Sequence, residues 1–141
     1  MAESWIFWAL VSAIFAALTA IFAKIGIAGI PSDLATLIRT LIIVVFLAAI
    51  VFATGQWRSP SEISGRTWLF LGLSGLATGA SWLAYFRALK IGDAARVAPI
   101  DKLSIVLVAV FGVIFLGEKL SLIHWAGVAM IAAGALVLAV F

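Results

Sequence analysis

The sequence contains no cysteine and a single histidine, and these shortages limit the chemistry open to the chain. Without thiols it can form neither a disulfide framework nor a thiolate metal site. One histidine is too few for a histidine-based zinc centre. The sequence also brings together no pair of carboxylates and no nucleophile with a base, as an active site would require. We therefore predict no metal ion, no cofactor and no enzymatic activity.

Charge is also scarce. Only 11% of the 141 residues are charged and 66% are hydrophobic, whereas soluble domains are about a quarter charged and roughly half apolar. A soluble domain of this length could not hide so many apolar side chains from water. The net charge of +3 comes from basic residues beside apolar runs, which argues against a nucleic-acid-binding face. The solvent for most of this chain is predicted to be membrane lipid.

Five apolar runs are long enough to cross a hydrocarbon core of about 30 Å at about 1.5 Å per residue. Within a single domain of residues 1–141, the predicted spans cover residues 5–27, 34–54, 67–88, 97–116 and 122–141. Ser32 or Asp33 is expected to cap the second helix. The runs show no strand alternation, which excludes a closed barrel. The predicted fold is an all-α bundle of five transmembrane helices in the cell (plasma or inner) membrane.

The charged residues differ between the two sides of the predicted bundle. One side carries three basic and three acidic residues: Arg58, Arg66, Lys119, Glu3, Glu62 and Glu118. The other side carries six basic and three acidic residues, a net charge of +3: Lys24, Arg39, Arg87, Lys90, Arg96, Lys102, Asp33, Asp93 and Asp101. The positive-inside rule favours an external N-terminus and a cytoplasmic C-terminus. The bias is modest and leaves insertion in both orientations open.

Small residues recur at helical spacing in three spans and are the expected helix contact surfaces, because close backbone approach drives association in lipid. They are Ser12, Ala16, Ala20, Gly72, Gly75, Gly79, Gly127 and Gly134. They either pack the single chain or form a dimer face. A polar stripe on the third span consists of Ser74, Thr78, Ser81 and Tyr85. These hydroxyls either line a substrate path or bond back to their own helix.

Charged groups inside spans are costly and are functional candidates. Arg39 lies about seven residues into the second span; it either extends toward the interface or handles substrate together with Trp82 and Tyr85. Pro99 removes a helix donor and is expected to bend the fourth span near its start. Asp101 and Lys102 follow it, and because neighbours on a helix point about 100° apart, we expect them not to pair with each other. They serve as structural anchors or as substrate or ion contacts.

Several segments, taken in order, resemble the EamA domain of the drug/metabolite transporter superfamily. They are Ala88-Leu89-Lys90, Pro99-Ile100-Asp101-Lys102-Leu103-Ser104, Leu116-Gly117-Glu118-Lys119-Leu120 and Ala35-Thr36-Leu37-Ile38-Arg39-Thr40, with Lys24 closing the first span. The resemblance implies a ten-helix fold of two inverted five-helix repeats, of which this chain is one. It also implies transport of small metabolites or drugs, usually export, by a homodimer with the path between subunits; antiparallel and parallel pairing both stay open. The alternative is a non-transporting membrane subunit that packs against a partner membrane protein.

Overall fold

Helix dominates this chain, because in lipid each backbone group has to find its hydrogen-bond partner within its own segment. The computed structural model describes residues 4–141, which form six α-helices, one short 3-10 helix and no strand. The helices are α1 (Trp5–Gly26), α2 (Ser32–Ala53), α3 (Gly65–Ile91), α4 (Ala94–Asp101), α5 (Ser104–Leu116) and α6 (Leu122–Val140), with the 3-10 helix at Pro60–Glu62. The predicted all-α class is confirmed.

Five helical segments are long and apolar enough to cross a membrane, as predicted. They are α1, α2, α3, α6 and the segment Ala94–Leu116, which contains α4 and α5. The third span is longer than predicted: it begins at Gly65 rather than 67 and ends at Ile91 rather than 88. Its added ends carry Arg66 and Lys90, whose long side chains can reach the interface while their stems stay in lipid.

The fourth span is interrupted near its start, as expected, and the break follows the proline. Helix α4 continues through Pro99 and ends at Asp101, and α5 resumes at Ser104. The Lys102 backbone N–H donates to the carbonyls of Ala98 and Pro99, at 3.2 and 3.1 Å. This tighter turn places the break at Lys102 and Leu103, three and four residues after the proline.

The start of α2 also differs from the expected cap. The residue preceding the helix is Pro31, and no side-chain cap is present. The Pro31 carbonyl accepts from the Ala35 N–H at 3.0 Å, so Ser32 and Asp33 already lie in the first turn. The Ser32 hydroxyl instead donates to the Asp33 carboxylate at 3.2 Å. Proline suits the entry because its fixed φ and missing N–H cost nothing at a helix start.

The turn between α5 and α6 carries the Leu116-Gly117-Glu118-Lys119-Leu120 motif. Gly117 adopts φ +67°, a left-handed conformation that glycine reaches without penalty. The Glu118 N–H then donates to the Gly112 carbonyl at 3.1 Å. A Cβ on Gly112 would come within 2.6 Å of the Glu118 carboxylate. The end of α5 is therefore closed by this turn, with the Glu118 side chain folded back over Gly112.

The chain falls into two compact groups of residues. The first comprises residues 4–22 and Ile91–Phe141, and in it α6 packs against both α4 and α5. The Arg96 guanidinium donates to the Ala139 carbonyl at 2.6 Å, in the last turn of α6. The last carbonyls of a helix lack backbone partners and carry partial negative charge, so a cation is a favourable cap there.

The second group, Ala23–Lys90, contains the end of α1, all of α2 and α3, and the loops between them. Its most buried side chains are Ile27, Phe86 and Leu89, each no more than 2% exposed. Outside such positions the large apolar side chains lie mainly on the surface of the described chain. Lipid is the solvent that tolerates this arrangement, and the protein is a multi-pass membrane protein.

Candidate functional site

Helix α2 carries Arg39 on the face that also bears two threonines. Arg39 is the eighth residue of α2, about 10 Å along the axis from the first residue at about 1.5 Å per residue. Thr36 is 6% exposed, and its hydroxyl donates to the Ser32 carbonyl at 2.9 Å. The Thr40 hydroxyl donates to the Thr36 carbonyl at 2.7 Å. Both hydroxyl protons are used within the helix, so Arg39 is the strong donor on this face.

Helix α3 supplies an aromatic surface for Arg39. Trp82, Tyr85 and Phe86 are spaced by three and four residues and therefore share one helix face. The guanidinium carbon of Arg39 lies 4.1 Å from the centroid of the Trp82 ring and 5.2 Å from that of Phe86. Tyr85 is close enough to interact electrostatically with Arg39. The structure therefore brings together three of the predicted path residues, Arg39, Trp82 and Tyr85.

An ion pair and two lysines join the same helices near their ends. Arg87 binds Asp33 through both carboxylate oxygens, with Nε donating at 3.1 Å and Nη2 at 2.7 Å. The Lys24 ammonium donates to the Leu89 carbonyl at 2.6 Å, and the Lys90 ammonium donates to the Ile30 carbonyl at 2.6 Å. These contacts tie the end of α1 and the start of α2 to the end of α3.

Asp101 and Lys102 correct an expectation from the sequence. Lys102 Nζ lies 3.3 Å from the Asp101 carboxylate, although neighbouring residues on a helix were expected to point apart. The helix ends at Asp101, and Lys102 lies in the turn that follows, so its flexible stem can fold back. Pro99 and Asp101 are half-buried and Lys102 is exposed. These three belong to the first group of residues, whereas Arg39, Trp82 and Tyr85 belong to the second.

The residues of the polar stripe on α3 differ in their hydrogen bonding and exposure. The Thr78 hydroxyl donates to the Ser74 carbonyl at 2.9 Å, and both residues are exposed. Back-bonding of this kind uses the donor inside the helix. Tyr85 differs from them because it is half-buried on the aromatic face.

The small-residue positions lie mainly on the surface. Ser12, Ala16, Gly72, Gly75 and Gly134 are exposed, Gly79 and Gly127 are half-buried, and Ala20 is buried. A Cβ added to any of the five glycines among them would meet no atom of its own group within 4 Å. Each of these glycines therefore has room for a neighbouring helix.

Sequence reasoning missed Thr36, Phe86 and the Asp33 carboxylate as parts of this arrangement. Thr36 and Arg39 are three residues apart on one helix, as are Trp82 and Tyr85, which was an available signal. The Arg87 to Asp33 pair spans 54 positions, and no local spacing could have identified it.

Five spans, with a cation held on an aromatic face inside one pair of helices, define an all-α membrane protein with a candidate binding site. The chain belongs to the EamA-like transporter family, whose sequence pattern matches residues 3–140. It is 77% identical, over 141 residues and 100% of both chains, to a Sinorhizobium protein called "uncharacterized transporter in cobO 3′ region". No solved structure matches the chain. Both matches point to a transporter rather than an enzyme.

Proposed function

We propose that this protein exports small metabolites or drugs across the cell membrane as a dimer, with the substrate path between the two subunits. The observation that carries the proposal is Arg39, a half-buried cation in the apolar helix α2, held against Trp82 and Phe86. Ionisable groups in spans mark substrate and ion pathways because their desolvation cost requires compensation. A subunit that only packs against a partner has no need of such a group.

The orientation that we propose for the chain supports export. The charge bias favours a cytoplasmic location for the start of α2 and the end of α3. Arg39 then lies about 10 Å from the cytoplasmic end of its helix, within reach of a solute that enters from the cytoplasm. The Arg87 to Asp33 pair lies nearer that end and joins the two helices that carry the site.

Dimerisation completes the fold that the family resemblance implies. The Sinorhizobium relative, which is called an uncharacterized transporter, is matched over its whole length by this chain. A path between inverted repeats requires two such units. Five glycines with room for a neighbouring helix, Gly72, Gly75, Gly79, Gly127 and Gly134, are suitable contact positions for the second copy.

Transport is tested by downhill efflux from proteoliposomes, which needs no knowledge of the coupling ion. Vesicles are loaded with six membrane-impermeant compounds in two matched sets, each with an anion, a neutral compound and a cation. The first set is gluconate, sorbitol and N-methylglucamine. The second is succinate, succinamide and putrescine. We expect at least one compound to leave faster than from protein-free vesicles. If folded, inserted protein accelerates none of them, the non-transporting subunit becomes the better account.

Orientation is tested by cysteine labelling, which this cysteine-free chain allows without background. Gln56→Cys reports the loop before α3, and Ile91→Cys reports the exposed end of α3. With an impermeant maleimide on intact cells, the charge bias predicts stronger labelling at residue 56. Comparable labelling at both positions would indicate an antiparallel dimer, and labelling at residue 56 alone a parallel one. Labelling at residue 91 alone would contradict the proposed orientation.

A further inference from the structure

Within the group Ala23–Lys90, Arg39 is a half-buried cation that forms no ion pair. We propose that Arg39, held over the Trp82 ring, binds the carboxylate group of the transported molecule, so that the substrates are small organic carboxylates. The inference rests on the proposed transport function and specifies the chemistry of its binding site. It uses contacts within Ala23–Lys90 alone.

The first step is the charge balance around the site. Within residues 4–141, the ion pairs join Arg87 to Asp33 and Lys102 to Asp101, and neither includes Arg39. Asp33 lies on the same helix as Arg39, but Arg87 contacts both of its carboxylate oxygens. Arg39 therefore has no carboxylate of its own group to neutralise it, whereas a buried or half-buried cation is normally paired.

The second step is what the aromatic rings can and cannot supply. A ring face attracts a cation, and the 4.1 Å separation from the Trp82 centroid is a close contact of this kind. This attraction fixes the position of the guanidinium but transfers no opposite charge to it. The rings therefore hold Arg39 in place and leave its charge available to an anion.

The third step is the geometry of the donors. The five N–H groups of a guanidinium lie in its plane and point outward from its edge. Carboxylates bind such an edge through two parallel hydrogen bonds. A lysine ammonium is a point charge without this fork, so the two side chains are expected to differ in function at this position.

The fourth step is the surroundings of the cation. The Thr36 and Thr40 hydroxyls already donate to carbonyls of their own helix, so these side chains offer an anion no further proton. Among the side chains of this site, Arg39 is the one that offers an incoming carboxylate both a positive charge and a fork of donors. Removing it should therefore weaken anion recognition strongly.

The test compares charge classes in the efflux experiment described above. In the wild-type protein we expect gluconate, succinate or both to leave the vesicles, while their neutral and cationic counterparts stay at the protein-free rate. Arg39→Gln should slow carboxylate efflux by about 10–100-fold, the range for losing hydrogen bonds to a charged group. Arg39→Lys keeps the positive charge but loses the two parallel N–H donors, so its rate of carboxylate efflux should be intermediate. It also carries the test if the glutamine variant does not fold.

Arg66→Gln is the matched control, because Arg66 also lies over an aromatic ring, Phe70, at 5.8 Å, at the other end of α3. It should change efflux by less than about twofold, as expected for an exposed contact. A second readout is the melting temperature in detergent, which succinate or gluconate should raise in the wild type but not in Arg39→Gln. Efflux of sorbitol, succinamide or a cation that is insensitive to Arg39→Gln would overturn the carboxylate inference and leave transport standing. Absence of efflux for all six compounds would overturn both.

Discussion

Phe86→Ala is expected to lower the free energy of unfolding by roughly 2–4 kcal/mol. The same change in the core of a water-soluble protein costs about 3–5 kcal/mol. Phe86 is 2% exposed and lies 5.2 Å from the Arg39 guanidinium. Its removal leaves a cavity beneath the candidate site and removes one of the two rings that hold the cation. We expect the smaller loss because moving an apolar side chain from lipid into the protein contributes little free energy. Unfolding by SDS titration in mixed micelles measures the change.

Phe70→Ala is the control for this prediction, since it is the same substitution on the same helix. Phe70 is 58% exposed, and lipid can fill the space that its ring leaves. We expect a loss below about 0.5 kcal/mol, typical of surface substitutions. Equal losses in the two variants would show that Phe86 is not packed as described.

Lys24→Met is expected to lower the free energy of unfolding by about 1–3 kcal/mol, the cost of leaving a buried acceptor unsatisfied. The Lys24 ammonium donates to the carbonyl of Leu89, a residue that is fully buried at the end of α3. That carbonyl is one of the last four of its helix, where intrahelical donors run out. Methionine keeps the length of the side chain and removes the donor and the charge. The melting temperature of the variant should fall accordingly.

Lys90→Met provides the matched comparison. Its hydrogen bond to the Ile30 carbonyl has the same length, 2.6 Å, but is exposed, so water can replace the lost donor. The expected loss is below about 1 kcal/mol. A larger loss for Lys90→Met than for Lys24→Met would contradict the assignment of Lys24 as the structural cap.

The basic residues that gave the sequence its charge bias therefore have defined contacts. Lys24, Lys90 and Arg96 donate to backbone carbonyls, and Arg87 binds Asp33. Arg39 differs from these four because it lies against aromatic rings. Glu3, which was counted on the neutral side, lies outside the described residues. Most of the cations on the side predicted to be positive are thus engaged in holding helix ends or in ion pairs.

The sequence by itself determined the class of fold. Runs of about twenty apolar residues have one stable solution in lipid, because only a continuous helix satisfies its own backbone there. The number of spans followed from the same rule, and the order of short segments was enough to indicate the family. Local signals were less reliable at the ends of elements. Pro31 precedes α2 in place of the expected Ser32 or Asp33 cap, and the break expected near Pro99 in the fourth span follows Asp101.

Only the tertiary structure decided which side chains meet. Arg39 and Trp82 are 43 positions apart, and Asp33 and Arg87 are 54 apart; hydrophobicity and spacing within one helix carry no information about the rotation of that helix against another. The pairing of Lys102 with Asp101 escaped prediction for a different reason, since it depends on where the helix ends. Sequence periodicity specifies the face on which a residue lies, whereas the packing of two helices specifies what that face contacts. That second step turned a lone charged residue of a membrane span into a candidate binding site.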